Sequence, residues 1–344
     1  MRKNSLCHKH TCKVKAIKRF SALMLCSLIS FTLSAQQDAY FRDPSLHKQQ
    51  LVATSQGDLW LANIDNSEPA RRLTSHDSIE ESAKFSPNGK QIAFVARYTN
   101  VPSVFVINAQ GGIAKQVSFE LSSTKLHSWI DDNTLLISTA SSGGMHSSWV
   151  LKTIDINSLA TTTLPLSDAV QGAVTAKGNT LVFVQHGLQV STDNANHYKG
   201  GAAGELWRFT LNSNEEAVPL TANHEGSAHT PMFYKDRLYF ISNQNSLDNI
   251  WSMNLDGKDL KQHTRFTDWA ARGASISENR IAFQHGADLK IYNIDTQNIA
   301  KVTPRLQSDF TSLRTRFIKK PLEYLENASV SPDGEKVVIT ARGQ

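Results

Sequence analysis

Short strand-forming runs, cut by polar turns, recur along this chain every roughly 40–45 residues, and a period of that length admits few folds. The clearest unit spans residues 237–267. Arg237-Leu238-Tyr239-Phe240-Ile241-Ser242 reads as a strand, a polar turn follows, and Asn249 to Leu255 reads as a second strand. Asp256-Gly257 is a turn signal, and Asp259 to Thr264 supplies a third strand. One such meander cannot bury both of its faces, so it requires neighbours of the same kind.

The neighbours are present. Gln50–Ser55, Asp58–Ile64 and Arg71–Thr74 form a first unit. Glu81–Phe85, Gln91–Arg97, Ser103–Ala109 and Ala114–Ser118 form a second. A third takes in Leu126–Ile130, Thr134–Thr139, Ser148–Ile156 and Thr161–Leu164. A fourth takes in Gly172–Ala176, Leu181–Gln185, Glu205–Leu211 and Ala217–Leu220. The unit described above is the fifth, entered through Pro231–Tyr234. Ala274–Ile276, Arg280–Gln284, Ala287–Ile294 and Ile299–Thr303 make a sixth.

Closing strands end in a hydrophobic-Thr pair, as in Leu73-Thr74, Leu220-Thr221 and Val302-Thr303, with Val117-Ser118 close to it. Helical periodicity is almost absent. About four strands per repeat at this period predicts an all-β fold, a six-bladed β-propeller. Trp60, Phe105, Trp207, Trp251 and Tyr292 fall at similar places in their units and read as packing between blades.

Beyond the sixth unit, residues 307–327 read as a basic, irregular linker. Residues 328–344, with the turn Ser331-Pro332-Asp333-Gly334, read as the first strands of a further blade, the start of a second propeller cut short. Those strands either close the first ring or open a second one.

The formal charge of +5 is concentrated at the front. Residues 1–35 hold seven basic side chains and no acidic one, which leaves 29 Lys and Arg against 31 Asp and Glu in the rest. The folded part therefore offers no electrostatic footprint for nucleic acid or an anionic membrane. Phe20 to Leu33 is an apolar run too short for a comfortable membrane span, and Ser34-Ala35 offers small residues for cleavage. Residues 1–35 are expected to be a signal peptide for periplasmic or secreted export, with an uncleaved N-terminal anchor as the alternative. All three cysteines lie in this leader, so no disulfide or thiolate is expected beyond it.

Motifs for chemistry are sparse. There is no Gly-x-Ser-x-Gly elbow, Walker loop or dinucleotide fingerprint. Cys7 to Cys12 and the stretch His224-Glu225-Gly226-Ser227-Ala228-His229 look metal-like in isolation. The first has no fold to arrange it, and the second spaces its histidines five apart beside Gly226 and Pro231, which argues against a helix. Gly200 to Gly204 reads as a turn within a blade, not an anion cradle. No metal, cofactor or catalytic residue is expected in this chain.

Several stretches together carry a family resemblance. They include Tyr40 to His47, Gly57-Asp58-Leu59-Trp60, Arg71 to Ser75 and Phe85 to Gly89. More specific are Tyr198 to Trp207, with its glycine-rich centre, and Asn254 to Asp268. The chain resembles the N-terminal propeller region of the tricorn protease family over nearly all of the part after the leader. The resemblance implies a large, self-assembling serine peptidase that degrades oligopeptides. In that family a six-bladed propeller precedes a seven-bladed one and a catalytic region with a PDZ-like domain. The catalytic residues lie in that late region, so none maps onto this sequence.

The first propeller, by the same resemblance, scaffolds and gates peptide passage and helps form homo-oligomers. Some members hold the substrate's C-terminal carboxylate with an arginine pair after the second blade. The matching place here is Thr124-Lys125, so Lys125 is the candidate substrate-binding residue. It keeps a positive charge without the planar fork of arginine, and the alternative is an ordinary surface lysine. Two other readings remain open at this point: a stand-alone periplasmic propeller that binds a protein or small ligand, and a propeller preceding an α/β-hydrolase peptidase.

Overall fold

The computed structural model describes residues 39–141, 148–185, 197–306 and 320–341. The expected leader and the Cys7 to Cys12 motif lie outside the described residues. Among the described residues no helix is long and apolar enough to cross a membrane.

Six four-stranded antiparallel sheets follow one another in chain order, each with its strands in sequence order from inner to outer. The inner strands are Arg42–His47, Glu80–Phe85, Thr124–Trp129, Ala169–Val174, Ala228–Tyr234 and Ala271–Ser277, which define blades 1 to 6. Each inner strand packs on the next, and that of blade 6 packs on that of blade 1. The fold is therefore an all-β, six-bladed propeller, as the repeat requires.

The core is divided among the junctions between blades. Six apolar clusters occur, and each draws residues from two adjacent blades. The recurrent aromatics stand on the third strand of their blades and turn toward the preceding blade. Trp60 joins Leu289 and Ile291 of blade 6, Phe105 joins Leu59 of blade 1, and Trp251 joins Leu206 of blade 4. Burying one such side chain contributes on the order of 3 kcal/mol. No blade could keep that contribution alone, so the sheets are stable only as neighbours.

The Thr or Ser after the closing strand has a structural cause in blades 1, 2, 4 and 5. Outer strands are short, as in Arg71–Arg72 and Lys261–Gln262, and leave an N–H of the third strand without a backbone partner. The side-chain hydroxyl accepts it instead. Leu59 N–H donates to Thr74 Oγ1 at 2.9 Å, Val104 N–H to Ser118 Oγ at 2.7 Å, and Leu206 N–H to Thr221 Oγ1 at 2.8 Å. Ile250 N–H donates likewise to Thr264 Oγ1 at 2.9 Å. A buried N–H must find a partner, and here a fixed side chain supplies it.

Turns obey the same local chemistry. Gly257 has φ +78°, and a Cβ there would lie 2.9 Å from the carbonyl oxygen of Leu220 in blade 4, so the Asp-Gly turn needs its glycine twice over.

Two expectations change. The third strand read over Asp259 to Thr264 contracts to Lys261–Gln262, because Thr264 leaves the ladder to act as the hydroxyl cap just described. The inner strands begin earlier than the pattern suggested, and blade 1 gains one over Arg42–His47. The C-terminal strands do not close the first ring. Leu325–Val330 and Val337–Ala341 pair with each other as a separate two-stranded sheet, every residue of it exposed. These are the strands of a further blade.

Candidate functional site

The six inner strands line a central cavity of about 1110 Å³. Their side chains reach it because each inner strand is bulged. In blade 1 the ladder skips between Arg42 and Ser45, in blade 2 between Glu81 and Lys84, in blade 5 between His229 and Met232, and in blade 6 between Arg272 and Ser275. In these four bulges one residue takes positive φ: Asp43, Ser82, Thr230 and Gly273. A bulge bends its strand and redirects side chains, which suits a lining surface. It also hides the strand from pattern reading, since Pro44 and Pro231 fall inside these bulges.

The lining mixes polar and apolar groups and carries both signs of charge. Arg42 and Asp43 come from blade 1, Glu81 and Lys84 from blade 2, Lys125 and His127 from blade 3, and Arg272 from blade 6. Glu81 opens on the cavity but is enclosed by its walls. That enclosure pushes its carboxyl above the usual range, and the carboxylate of Asp43 adds to the effect against Arg42, Lys125 and Arg97. Burial lowers the Lys84 ammonium, with Asp43 opposing. Burial, helped by Lys125 and Lys84, pushes His127 down to about 3, so its imidazole is neutral at physiological pH.

Lys125 stands in the inner strand of blade 3, half-buried, and lines the cavity. Its Nζ lies 4.5 Å from the centre of the Trp149 ring, a cation–π distance. Thr124, its partner in the dipeptide, is 1% exposed and belongs to the wall. Lys125 is thus one of the residues that line the cavity.

Among the described residues, three histidine rings bond a serine hydroxyl. His127 Nε2 lies 2.7 Å from Ser138 Oγ, His224 Nε2 2.6 Å from Ser242 Oγ, and His263 Nε2 2.6 Å from Ser252 Oγ. All three serines are 0% exposed. A hydroxyl sealed from solvent meets no substrate, so these pairs are packing units of the sheets. His224 and His229, adjacent in the metal-like motif, part company: His224 bonds Ser242, while His229 turns to the cavity and faces Asp248. Among the described residues no three His, Cys, Asp or Glu side chains group as metal ligands. Gly200 to Gly204 lies between the second and third strands of blade 4, where Gly204 N–H donates to Ser227 Oγ at 3.0 Å. It is a turn within a blade.

A six-bladed ring with a charged channel is shared by many proteins, and the sequence match narrows it. Residues 38–298 match the family described as the tricorn protease N-terminal beta propeller domain. The chain belongs to the tricorn protease family. It is 27% identical over 317 residues to a tricorn protease homolog of Saccharolobus solfataricus, covering 89% of this chain and 28% of that protein. It is 27% identical over 318 residues to the tricorn protease of Thermoplasma acidophilum, covering 88% of this chain and 28% of that protein. The crystal structure of the tricorn protease superposes with a TM-score of 0.71 at 23% identity, over 86% of this chain and 29% of that one. The chain thus spans less than a third of the length of these tricorn relatives, and the part it matches is their N-terminal propeller.

Proposed function

We propose that this chain serves as the N-terminal propeller of a tricorn-like serine peptidase that degrades oligopeptides. This part is non-catalytic; it scaffolds and gates the passage of peptides. The observation that carries the reading is the central cavity, with a volume of about 1110 Å³, room for a short peptide, and a lining with charges of both signs. Lys125 supplies a cation at the place where the family resemblance puts a carboxylate contact. Its ammonium stands over the Trp149 ring, which gives the charge a defined position.

The leader directs the chain to the periplasm or outside the cell, and the full-length protein is a homo-oligomer. N-terminal sequencing of the exported protein and light scattering of the purified full-length form address those two points.

The test of the non-catalytic role uses the purified chain with fluorogenic tri- and tetrapeptides. No turnover is expected. Steady hydrolysis abolished by a serine-directed inhibitor would overturn the reading.

A further inference from the structure

On the blade 5 side of the channel a buried carboxylate lacks a donor. Asp248 is 4% exposed, lines the cavity, and its Oδ1 has no hydrogen-bond partner. Its Oδ2 lies 3.4 Å from His229 Nε2, which is also without a hydrogen bond. The other ring nitrogen, Nδ1, lies 2.9 Å from Thr230 Oγ1. Either tautomer leaves an acceptor unmet. If Nε2 carries the proton, Asp248 Oδ1 still has no donor. If Nδ1 carries it, the lone pair of Nε2 and the carboxylate face each other with nothing between.

The surroundings hold this arrangement in place. Thr230 is β-branched and sits at φ 54°, a backbone state such residues avoid. Its N–H donates to Gln171 Oε1 of blade 4 at 2.7 Å, which fixes the bulge. The backbone oxygen of Asp248 accepts the N–H of Ala271 in blade 6 at 2.9 Å. The chain is therefore pinned on both sides, while the carboxylate itself is not. Its terminal torsion is soft, and turning it toward the channel breaks no hydrogen bond at Oδ1.

We infer that Asp248 and His229 form a subsite for a primary ammonium group within the channel. An ammonium has three donors and a compact charge, so it can meet the carboxylate and the imidazole lone pair together. A divalent ion is a poorer fit, because two side chains provide fewer ligands than a protein metal site uses. The ammonium comes from a peptide's N-terminus or from a lysine side chain. The inference rests on the reading of the channel as a peptide path and gives that path a second polar end, on a different blade from Lys125.

The experiment is calorimetric titration of the full chain with four alanine–serine hexapeptides. One has a free N-terminus, one is acetylated, one is acetylated with a central lysine, and one is acetylated with norleucine there. The free amino terminus is expected to bind about tenfold more tightly than the acetylated form, a factor ordinary for one charge-assisted contact. Asp248→Asn, nearly isosteric, should erase that difference and leave the acetylated peptide's affinity unchanged. A gain with lysine over norleucine, without one for the free terminus, assigns the subsite to side chains.

Equal binding of all four peptides overturns the inference and leaves the channel reading standing. Binding of none overturns both. Uptake of zinc or calcium that Asp248→Asn abolishes, with no dependence on the peptide's amino group, replaces the ammonium with a metal. The wild-type peptide series stands even if a variant folds poorly.

Discussion

Ser275 donates its hydroxyl to the carbonyl oxygen of Pro44 at 2.8 Å, joining residues 231 positions apart. This bond crosses the seam where blade 6 meets blade 1. No strand is shared there, since each blade takes its four strands from one continuous stretch. The ring is held shut by this bond, by Gln284 donating to Tyr40 at 2.7 Å, and by Phe41, Leu46 and Trp60 packing on Leu289, Ile291 and Val302. Ser275→Ala should lower stability by about 1 kcal/mol, the ordinary worth of a buried hydrogen bond. Hydrogen exchange should then quicken in Arg42–His47 more than in the inner strand of blade 3. A uniform change around the ring would show that the seam is not the weak junction.

Thr264 both accepts from Ile250 N–H and donates to Asn249 Oδ1, each at 2.9 Å, and is 2% exposed. Valine has the same shape without the hydroxyl and would strand the buried Ile250 N–H, while Asn249 Oδ1 would keep only the Phe266 N–H. Thr264→Val should cost about 1–3 kcal/mol in denaturant unfolding. Thr161→Val, at an exposed position of an outer strand, should stay within about 0.5 kcal/mol. Equal effects would contradict the capping role.

Three histidines set an acid limit on stability. Burial, with nearby Lys199, holds His224 at about 4; burial, with Arg237 and Lys261, holds His263 at about 4; His127 sits at about 3, against an ordinary value of 6.5. Below pH 6.5 the unfolded chain takes up protons that the folded chain refuses. Stability is therefore intact above about 6.5 and is lost as pH falls toward about 4, by up to about 1.4 kcal/mol per pH unit for each group. Glu80 and Glu81, both raised chiefly by burial, work in the opposite sense at the acid end. His263→Gln keeps a polar group beside Ser252 and Tyr292 but cannot titrate. Urea midpoints from pH 7 to 4.5 should fall less steeply in this variant than in the parent. Parallel slopes would mean that His263 is not buried neutral.

Much of this architecture is legible in the sequence because a propeller repeats its local chemistry. The aromatic on the third strand and the Thr or Ser after the closing strand recur in several blades, and the hydroxyls of Thr74, Ser118, Thr221 and Thr264 each accept a third-strand N–H. The inner strands were harder to read. Asp43-Pro44 and Thr230-Pro231 look like breaks, and only the ladder shows that bulges absorb them. Lys125 could be placed through family likeness, but its position over Trp149 depends on a strand pairing and not on spacing. Asp248 belongs to no motif, and the metal-like stretch that contains His229 gives no pointer to it. The two residues meet because the loop after the second strand of blade 5 folds back over the start of its inner strand, a tertiary fact without a local signal.

On the proposed reading, Lys125 holds a peptide in the cavity by its C-terminal carboxylate. The direct measurement is a binding titration of one hexapeptide as free acid and as C-terminal amide, against the parent chain, Lys125→Ala and Lys125→Arg. The account predicts that the free acid binds the parent more tightly, that Lys125→Ala removes the preference, and that Lys125→Arg enlarges it by about tenfold through its planar fork. Identical affinities for acid and amide in the parent chain would contradict it.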